Sequence, residues 1–541
     1  MFKVNGVWRR KDSGIVHAWS LFLAELKAEA AELRTFFCSA KLLRWFTAAW
    51  ILLLYGIRLF HEDIFIDSDN MLIDPQGYLA VMHGSRRFGM VMTKKLFSFL
   101  RLTPTLANLL MMLALWLFVL FTCFCFWRLS GNDRRFYLGM LPFSAVFLSS
   151  PCLAEQFYFV LQAFEVALAM VFGVAAMYCA QMGIKRGQSP LWYLPALGCM
   201  VWSMGTYQAF MAFYIALVAM AYLVMYQAEG MKVGWREGFL NALLFLAGFF
   251  ITQALASFFV RRVNGDSSYV NAMIAWKTQD MEECLFFIAM DFRRLYQAEL
   301  PLFFSKFFLW AAAAASLLVL WCAGKKRKKG LAYCVFALLV LFVSPILITL
   351  VMGTAQPIRA HLTYVLVFAE YVFLLCALLP QALEKWRRLR IGACLLAAVF
   401  SFSISWKKLV GTNELLETAH EVYVSDTLTA NRIYGAVCQA AGQENLAECK
   451  VVFVGAKDPQ LAGNPTCGDV IGHSVFQWDA ASDIGVSARA GEYFQTLGLP
   501  MGRPASSDYE KAVEACKDKP SWPKTGSVFK LDDMVVVKLS Q

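Results

Sequence analysis

LLRWFTAAWILLLYGIRLF (residues 42–60) runs straight into HEDIFIDSDN (residues 61–70). The first stretch is apolar over the roughly 20 residues that, at a rise of about 1.5 Å each, cross the hydrocarbon core of a bilayer. The second sets Glu62, Asp63, Asp67 and Asp69 just beyond its end. Carboxylates are costly to hold beside lipid, so an acidic cluster at the mouth of a span marks a functional site. A span with an acidic exit therefore frames the rest of the chain.

Apolar runs recur at 42–60, 105–127, 136–150, 157–180, 191–206, 208–227, 238–260, 303–323, 331–352, 362–380 and 391–410, about eleven spans in all. Composition agrees, with 59% hydrophobic and 16% charged residues in 541, against about 25% charged in soluble domains. The net charge of +11 does not indicate a nucleic-acid partner, because the basic residues lie in short clusters between the runs. Arg128, Arg134 and Arg135 follow the second run, Lys185 and Arg186 the fourth, and Lys232 and Arg236 the sixth. Residues 325–329 follow the eighth, and Lys385, Arg387, Arg388 and Arg390 the tenth. The loops after the third and fifth carry no Lys or Arg. Positive-inside bias then puts the N-terminus in the cytoplasm and the C-terminus outside.

On this reading residues 1–41 are a cytoplasmic segment without a cleavable signal, in which 19–37 form an amphipathic helix on the membrane. Residues 42–410 form the transmembrane domain, and 411–541 a soluble extracytoplasmic α/β domain. That tail has strand patterns at 450–455 and 534–539 and helical patterns at 412–441, 489–497 and 508–517. Of 15 cysteines, Cys438, Cys449, Cys467 and Cys516 fall in the tail, an even number that permits disulfides outside the cytoplasm.

Several residues stand out between the runs. Glu62 and Asp63 suit a general base. Arg86 and Arg87 in HGSRR (83–87) precede a stretch, 88–101, with the spacing of an interfacial helix. Arg359 and His361 occupy a short outer loop, AQPIRAH (355–361). An arginine there runs against its own topology, and a phosphate ligand would account for it. Glu155 lies in PCLAE (151–155) with no basic neighbour, and Tyr207-Gln208 in GTYQA (205–209) offer an aromatic face and an amide to sugar hydroxyls. Glu165 lies within the fourth run and must face the bundle interior or a wet cavity. Asp67-Ser68-Asp69 has the DxD form of a metal motif but reads as a solvated turn. Neither Cys/His metal spacing nor a soluble-enzyme motif is present.

These features resemble the C-type glycosyltransferases, and within them the Gtr-type bacterial glucosyltransferases. The likeness rests on Glu62-Asp63 ending the first span, the basic and aromatic helix after it, residues 151–155 and 205–209, and a soluble outer domain. It implies a polytopic α-helical membrane protein of the bacterial cytoplasmic membrane with a small extracytoplasmic α/β C-terminal domain. It also implies transfer of a hexose, glucose, from a polyprenyl-phosphate donor to a surface glycan such as O-antigen on the outer face. Asp63 or Glu62, with Glu155, would be catalytic; Arg359, Arg86 and Arg87 would bind the donor phosphate; Tyr207, Gln208 and His361 would contact sugar or acceptor. The family often carries paired aspartates where this chain has Glu62-Asp63, which leaves open which acid acts. The resemblance fixes no cofactor, and a divalent cation stays open. The alternatives are a glycan polymerase, or a transporter or flippase of lipid-linked glycans. A transporter would place several ionisable groups at mid-bilayer, where the sequence has chiefly Glu165.

Overall fold

Nine helices among the described residues are long and apolar enough to cross a bilayer. They are Lys41–Leu59, Pro104–Leu129, Val160–Ile184, Phe210–Gln227, Trp235–Arg262, Phe308–Lys325, Leu331–Met352, Leu362–Ala382 and Arg387–Ala441. The computed structural model describes the chain apart from residues 1, 5–6, 10–12, 62, 101–102, 186, 228–233, 264–273, 327–330, 444–445 and 541. The third apolar run is a broken span, Arg134–Leu148 and Pro151–Phe157, bent by 52°. Pro151 begins the second piece, where its missing N–H costs least. The fifth run is a helix of 14 residues, Tyr193–Thr206, about 21 Å long and short of a span. Against the about eleven runs of the sequence, the described residues hold nine candidate spans, or ten with the bent pair as one.

Val160–Ile184 packs against Pro104–Leu129 and Tyr193–Thr206, and Leu362–Ala382 against Tyr137–Leu148 and Phe308–Lys326. Trp235–Arg262 and the first turns of Arg387–Ala441 instead expose apolar side chains such as Phe239, Phe250, Leu396 and Val399, as lipid-facing surfaces do. The expected helix at 19–37 is Ser13–Ser39. It is tied to the bundle: Glu29 takes a two-pronged bond from Arg128 at 2.8 and 2.9 Å, and Glu25 accepts from the Trp192 indole at 2.8 Å.

The stretch expected to be interfacial buries one face in the protein and leaves Met92, Leu96 and Phe99 exposed. Phe88, Met90, Val91, Thr93 and Lys94 of helix Phe88–Leu96 are buried. Two glycines make this possible. A Cβ on Gly89 would lie 2.6 Å from the Trp202 carbonyl oxygen, and one on Gly205 would lie 2.4 Å from the Phe88 ring. Lys94 reaches Glu165 Oε1 at 2.9 Å, so Glu165 is charge-paired inside the protein. Glu370, midway along Leu362–Ala382, is fully buried and neither carboxylate oxygen has a hydrogen-bond partner.

Arg387–Ala441 is one helix of 55 residues that passes residue 410 without a break. Beyond it, Lys450–Val454 pairs parallel with Met534–Lys538, which pairs antiparallel with Val528–Leu531. Val528–Leu531 had no clear signal in the sequence, because its burial is only partial. Helices Gly485–Thr496 and Ser506–Ala515 cover the sheet. Among the described residues no disulfide joins Cys449, Cys467 or Cys516.

Candidate active site

Two non-glycine residues with left-handed backbone bracket the segment that builds the site, Asp67 at φ 65° and Arg86 at φ 60°. Such conformations cost on the order of 1 kcal/mol and cluster where function demands a particular side-chain direction. Helix Ser68–Ile73 starts immediately after Asp67, which corrects the solvated turn expected there. Asp74 then caps Pro75–Gly84, accepting the Gly77 N–H at 2.9 Å, with Pro75 at the first helical position. The chain turns back through residues 83–87, where His83 stacks on Phe259 with ring centroids 5.3 Å apart. The Gln208 amide donates to the Ser85 carbonyl at 2.8 Å. These contacts aim Arg87 into a cavity.

That cavity encloses about 670 Å³, well within the range of ligand sites. Gln156, Phe159 and Gln162 line it from the broken span and the start of Val160–Ile184; Asp67, Asn70, Tyr78 and Arg87 come from the acidic loop. Tyr207 and Arg359 add one residue each from two further loops, and the tail supplies Val470, Trp478, Asp479 and Arg489.

Its arginines divide into two kinds. Arg87 lies over the Tyr207 ring at 5.2 Å and Arg359 over Phe159 at 5.4 Å. Arg87 Nη1 also reaches Gln162 Oε1 at 3.4 Å. Among the described residues neither guanidinium is in an ion pair, so both keep charge for an anion. Arg489 is engaged, donating to Asp479 at 2.7 Å and to Asp67 Oδ1 at 3.3 Å. Burial works against the Arg489 charge, yet the facing carboxylates of Asp67 and Asp479 hold its pKa above the ordinary value. Asp67 Oδ2 also accepts from the Gln162 amide at 3.4 Å. Beneath Asp67, burial pushes the Asp69 carboxyl up to about 7. Two polar atoms near the cavity, Gln156 Oε1 and Arg87 Nε, are buried without a partner. An unpaired buried polar group is costly, and a polar ligand would satisfy both.

Of the residues singled out in the sequence, the cavity unites Asp67, Arg87, Arg359 and Tyr207. Asp63 lies elsewhere, with both carboxylate oxygens 3.0 Å from His420 Nδ1; Glu62 is outside the described residues. Arg86 bonds Gln253 at 3.2 Å. His361 is buried with Nε2 3.3 Å from Asp291 Oδ1. Glu155 was expected in an outer loop but lies in helix Pro151–Phe157, every residue of which is buried. Its carboxylate accepts the Val470 and Ile471 amides at 3.0 and 3.2 Å. Sequence reasoning missed Arg489, Trp478 and Asp479 because each sits in an ordinary polar stretch. No cluster of three or more His, Cys, Asp or Glu among the described residues is placed to hold a metal ion.

A family model described as Glucosyl transferase GtrII matches residues 56–376, more than half of the 541-residue chain. The chain belongs to this glucosyl transferase family. No curated protein and no solved structure matches it. The segment matched to the GtrII family carries Asp67, Arg87, Tyr207 and Arg359. The tail residues that line the same cavity, Val470, Trp478, Asp479 and Arg489, lie beyond it.

Proposed function

We propose that the protein moves a glucosyl unit from a polyprenyl-phosphate donor to a surface glycan in this cavity, at the outer face of a bacterial cytoplasmic membrane. The observation that carries the reading is the pair of aromatic-backed, unpaired guanidiniums, Arg87 and Arg359, sharing one cavity with the Asp67 carboxylate. Asp67 takes the proton from the acceptor hydroxyl, and the acceptor oxygen attacks the anomeric carbon. The bond from that carbon to the phosphate oxygen breaks, and the phosphate leaves with the electron pair. Arg87 and Arg359 receive its charge. Gln162 and Arg489 orient Asp67. Trp478 and Asp479 offer an aromatic face and a carboxylate to acceptor sugar rings.

Cavity-lining Phe159, Tyr207 and Val263 all lie at one end of the bundle, and basic Arg128, Lys185 and Arg236 at the far ends of the same helices or their neighbours. Positive-inside bias supports an outward-facing cavity on that arrangement. The test is transfer from polyprenyl-phosphate glucose in membranes, with donor binding followed separately. Asp67→Asn should cut turnover by about 10²–10⁴ while donor binding persists. Arg87→Ala and Arg359→Ala should weaken donor binding as well. Wild-type turnover in Asp67→Asn would overturn the assignment of the base, and wild-type donor binding in both arginine variants would remove the lipid-phosphate donor.

A further inference from the structure

Glu155 is fully buried and lines no part of the cavity, so its carboxylate needs another explanation. It accepts the N–H groups of two successive tail residues, Val470 at 3.0 Å and Ile471 at 3.2 Å. The loop lies so close that a Cβ on Gly468 would sit 1.8 Å from Glu155 Oε1. The same loop returns a carboxylate in the opposite direction. Asp469 Oδ2 accepts the N–H of Ile358, the residue before Arg359. Helix Pro151–Phe157 packs directly on the turn at Ile358–Ala360, which closes the circuit. On the tail side Asp426 fixes the end of the loop, accepting from Ser474 Oγ at 2.6 Å and Val475 N at 2.8 Å.

Carboxylate-to-amide bonds are charge-assisted, and two crossing between the same two segments fix both position and register. Buried amides that lose such an acceptor have no water to replace it. The loop carries Val470 to the cavity wall beside Arg359. Arg359 itself sits in a short turn and touches the Phe159 ring.

We propose that Glu155 and Asp469 are positioning residues of the donor site. They form a reciprocal clamp that fixes Arg359 and makes donor binding depend on the docked tail. The inference rests on Arg359 being a donor-phosphate ligand. It assigns Glu155 a role in which no proton is transferred.

The experiment uses the full-length protein in lipid nanodiscs with polyprenyl-phosphate glucose at varied concentration. Hydrogen exchange across residues 466–475 is read in parallel. Glu155→Gln, Gly468→Ala and Asp469→Ala should each raise the donor KM about tenfold with kcat within about threefold of wild type. The Val470 and Ile471 amides should exchange faster in the first two. Gly468→Ala changes no charge and leaves Glu155 in place, so it acts only by displacing the loop. Glu155→Gln keeps one acceptor oxygen and should be milder than Glu155→Ala. Adding Asp469→Ala to Arg359→Ala should raise KM no further than Arg359→Ala alone.

A hundredfold fall in kcat in Glu155→Gln, with donor KM and exchange unchanged, would make Glu155 a proton-transfer group and overturn the clamp. A wild-type KM in Gly468→Ala would overturn it too. If Arg359→Ala leaves the donor KM at the wild-type value, the donor-site reading fails. If Arg359→Ala raises it while the clamp variants do not, only the clamp fails.

Discussion

Arg489 Nη1 lies 3.3 Å from Asp67 Oδ1, a contact that spans 422 positions of sequence. The guanidinium is anchored from the other side by Asp479 at 2.7 Å, so the fork is held in one plane between two carboxylates. The carboxylate assigned to proton transfer is therefore oriented by a residue from the far end of the chain. The cavity is complete only when the tail is in place.

Arg489→Ala should lower turnover by about 10- to 100-fold, because Asp67 loses its orienting partner but keeps the Gln162 amide. Arg489→Lys should recover only part, since a point charge cannot serve both carboxylates in the fork geometry. Transfer rates in the two variants at saturating donor decide this. Equal rates would mean that charge alone, without geometry, is what Asp67 needs.

Asp63→Asn should transfer within about threefold of wild type yet unfold more readily. Its carboxylate binds His420 in a small separate space, and a hydrogen bond to a charged group contributes about 1.5–3 kcal/mol. Thermal unfolding in detergent, beside the transfer assay, separates the two effects. Loss of transfer at unchanged stability would restore Asp63 as the base.

Asp69 gives stability a pH dependence. Its carboxyl titrates near 3.8 in the open chain and, raised by burial, near 7 in the fold. Between those values the folded state holds a proton that the unfolded state has released, so stability falls as pH rises from about 4 to about 7 and then levels off. Asp69→Asn should flatten that slope. Unfolding midpoints at pH 5 and pH 8 measure it: the drop should be larger in wild type than in the variant.

Two of the buried carboxylates, Glu165 and Glu370, should respond oppositely. Lys94→Met leaves Glu165 uncompensated and should cost about 3–5 kcal/mol, much of which Lys94→Met with Glu165→Leu should restore. Glu370 has no hydrogen-bond partner, so Glu370→Leu should be neutral or stabilising. Unfolding midpoints of the variants in one detergent make the comparison. A destabilised Glu370→Leu would point to a use for that carboxyl.

Orientation has its own check. A reporter fused after Arg388 should sit in the cytoplasm and one fused after Ser540 outside it, as the basic clusters dictate. A cytoplasmic signal at Ser540 would place the cavity on the wrong face for a surface glycan.

The spans were legible because hydrocarbon thickness imposes a length, and length is written in the sequence. Where a run was too short or broken by Pro151, hydropathy alone could not separate a crossing from a bend. Arg87, Arg359 and Tyr207 were legible because charge or aromatic surface in a loop between spans is conspicuous. Asp67 and Asp63 look alike in HEDIFIDSDN; only the left-handed turn at Asp67 and the His420 partner of Asp63 tell them apart. Glu155 looked catalytic because a loop carboxylate without a cation lacks an obvious partner, and backbone amides from 315 positions away leave no mark in composition. The close packing of one face of Phe88–Leu96 was hidden for a similar reason: the packing partners of Gly89 and Gly205 are each other's neighbours only in space.

The unbroken helix Arg387–Ala441 turns the join between membrane and tail into a problem of phase. Each residue advances a helix by about 100°, and one rod carries Lys408 on the Leu302 carbonyl, Thr412 on the Ser149 carbonyl, His420 on Asp63 and Asp426 on Ser474. Adding or removing a single residue between these contacts would swing every later one about a quarter turn out of line. The tail could then dock only by unwinding the rod. Its length is thus fixed to the single residue, and the cavity inherits that constraint.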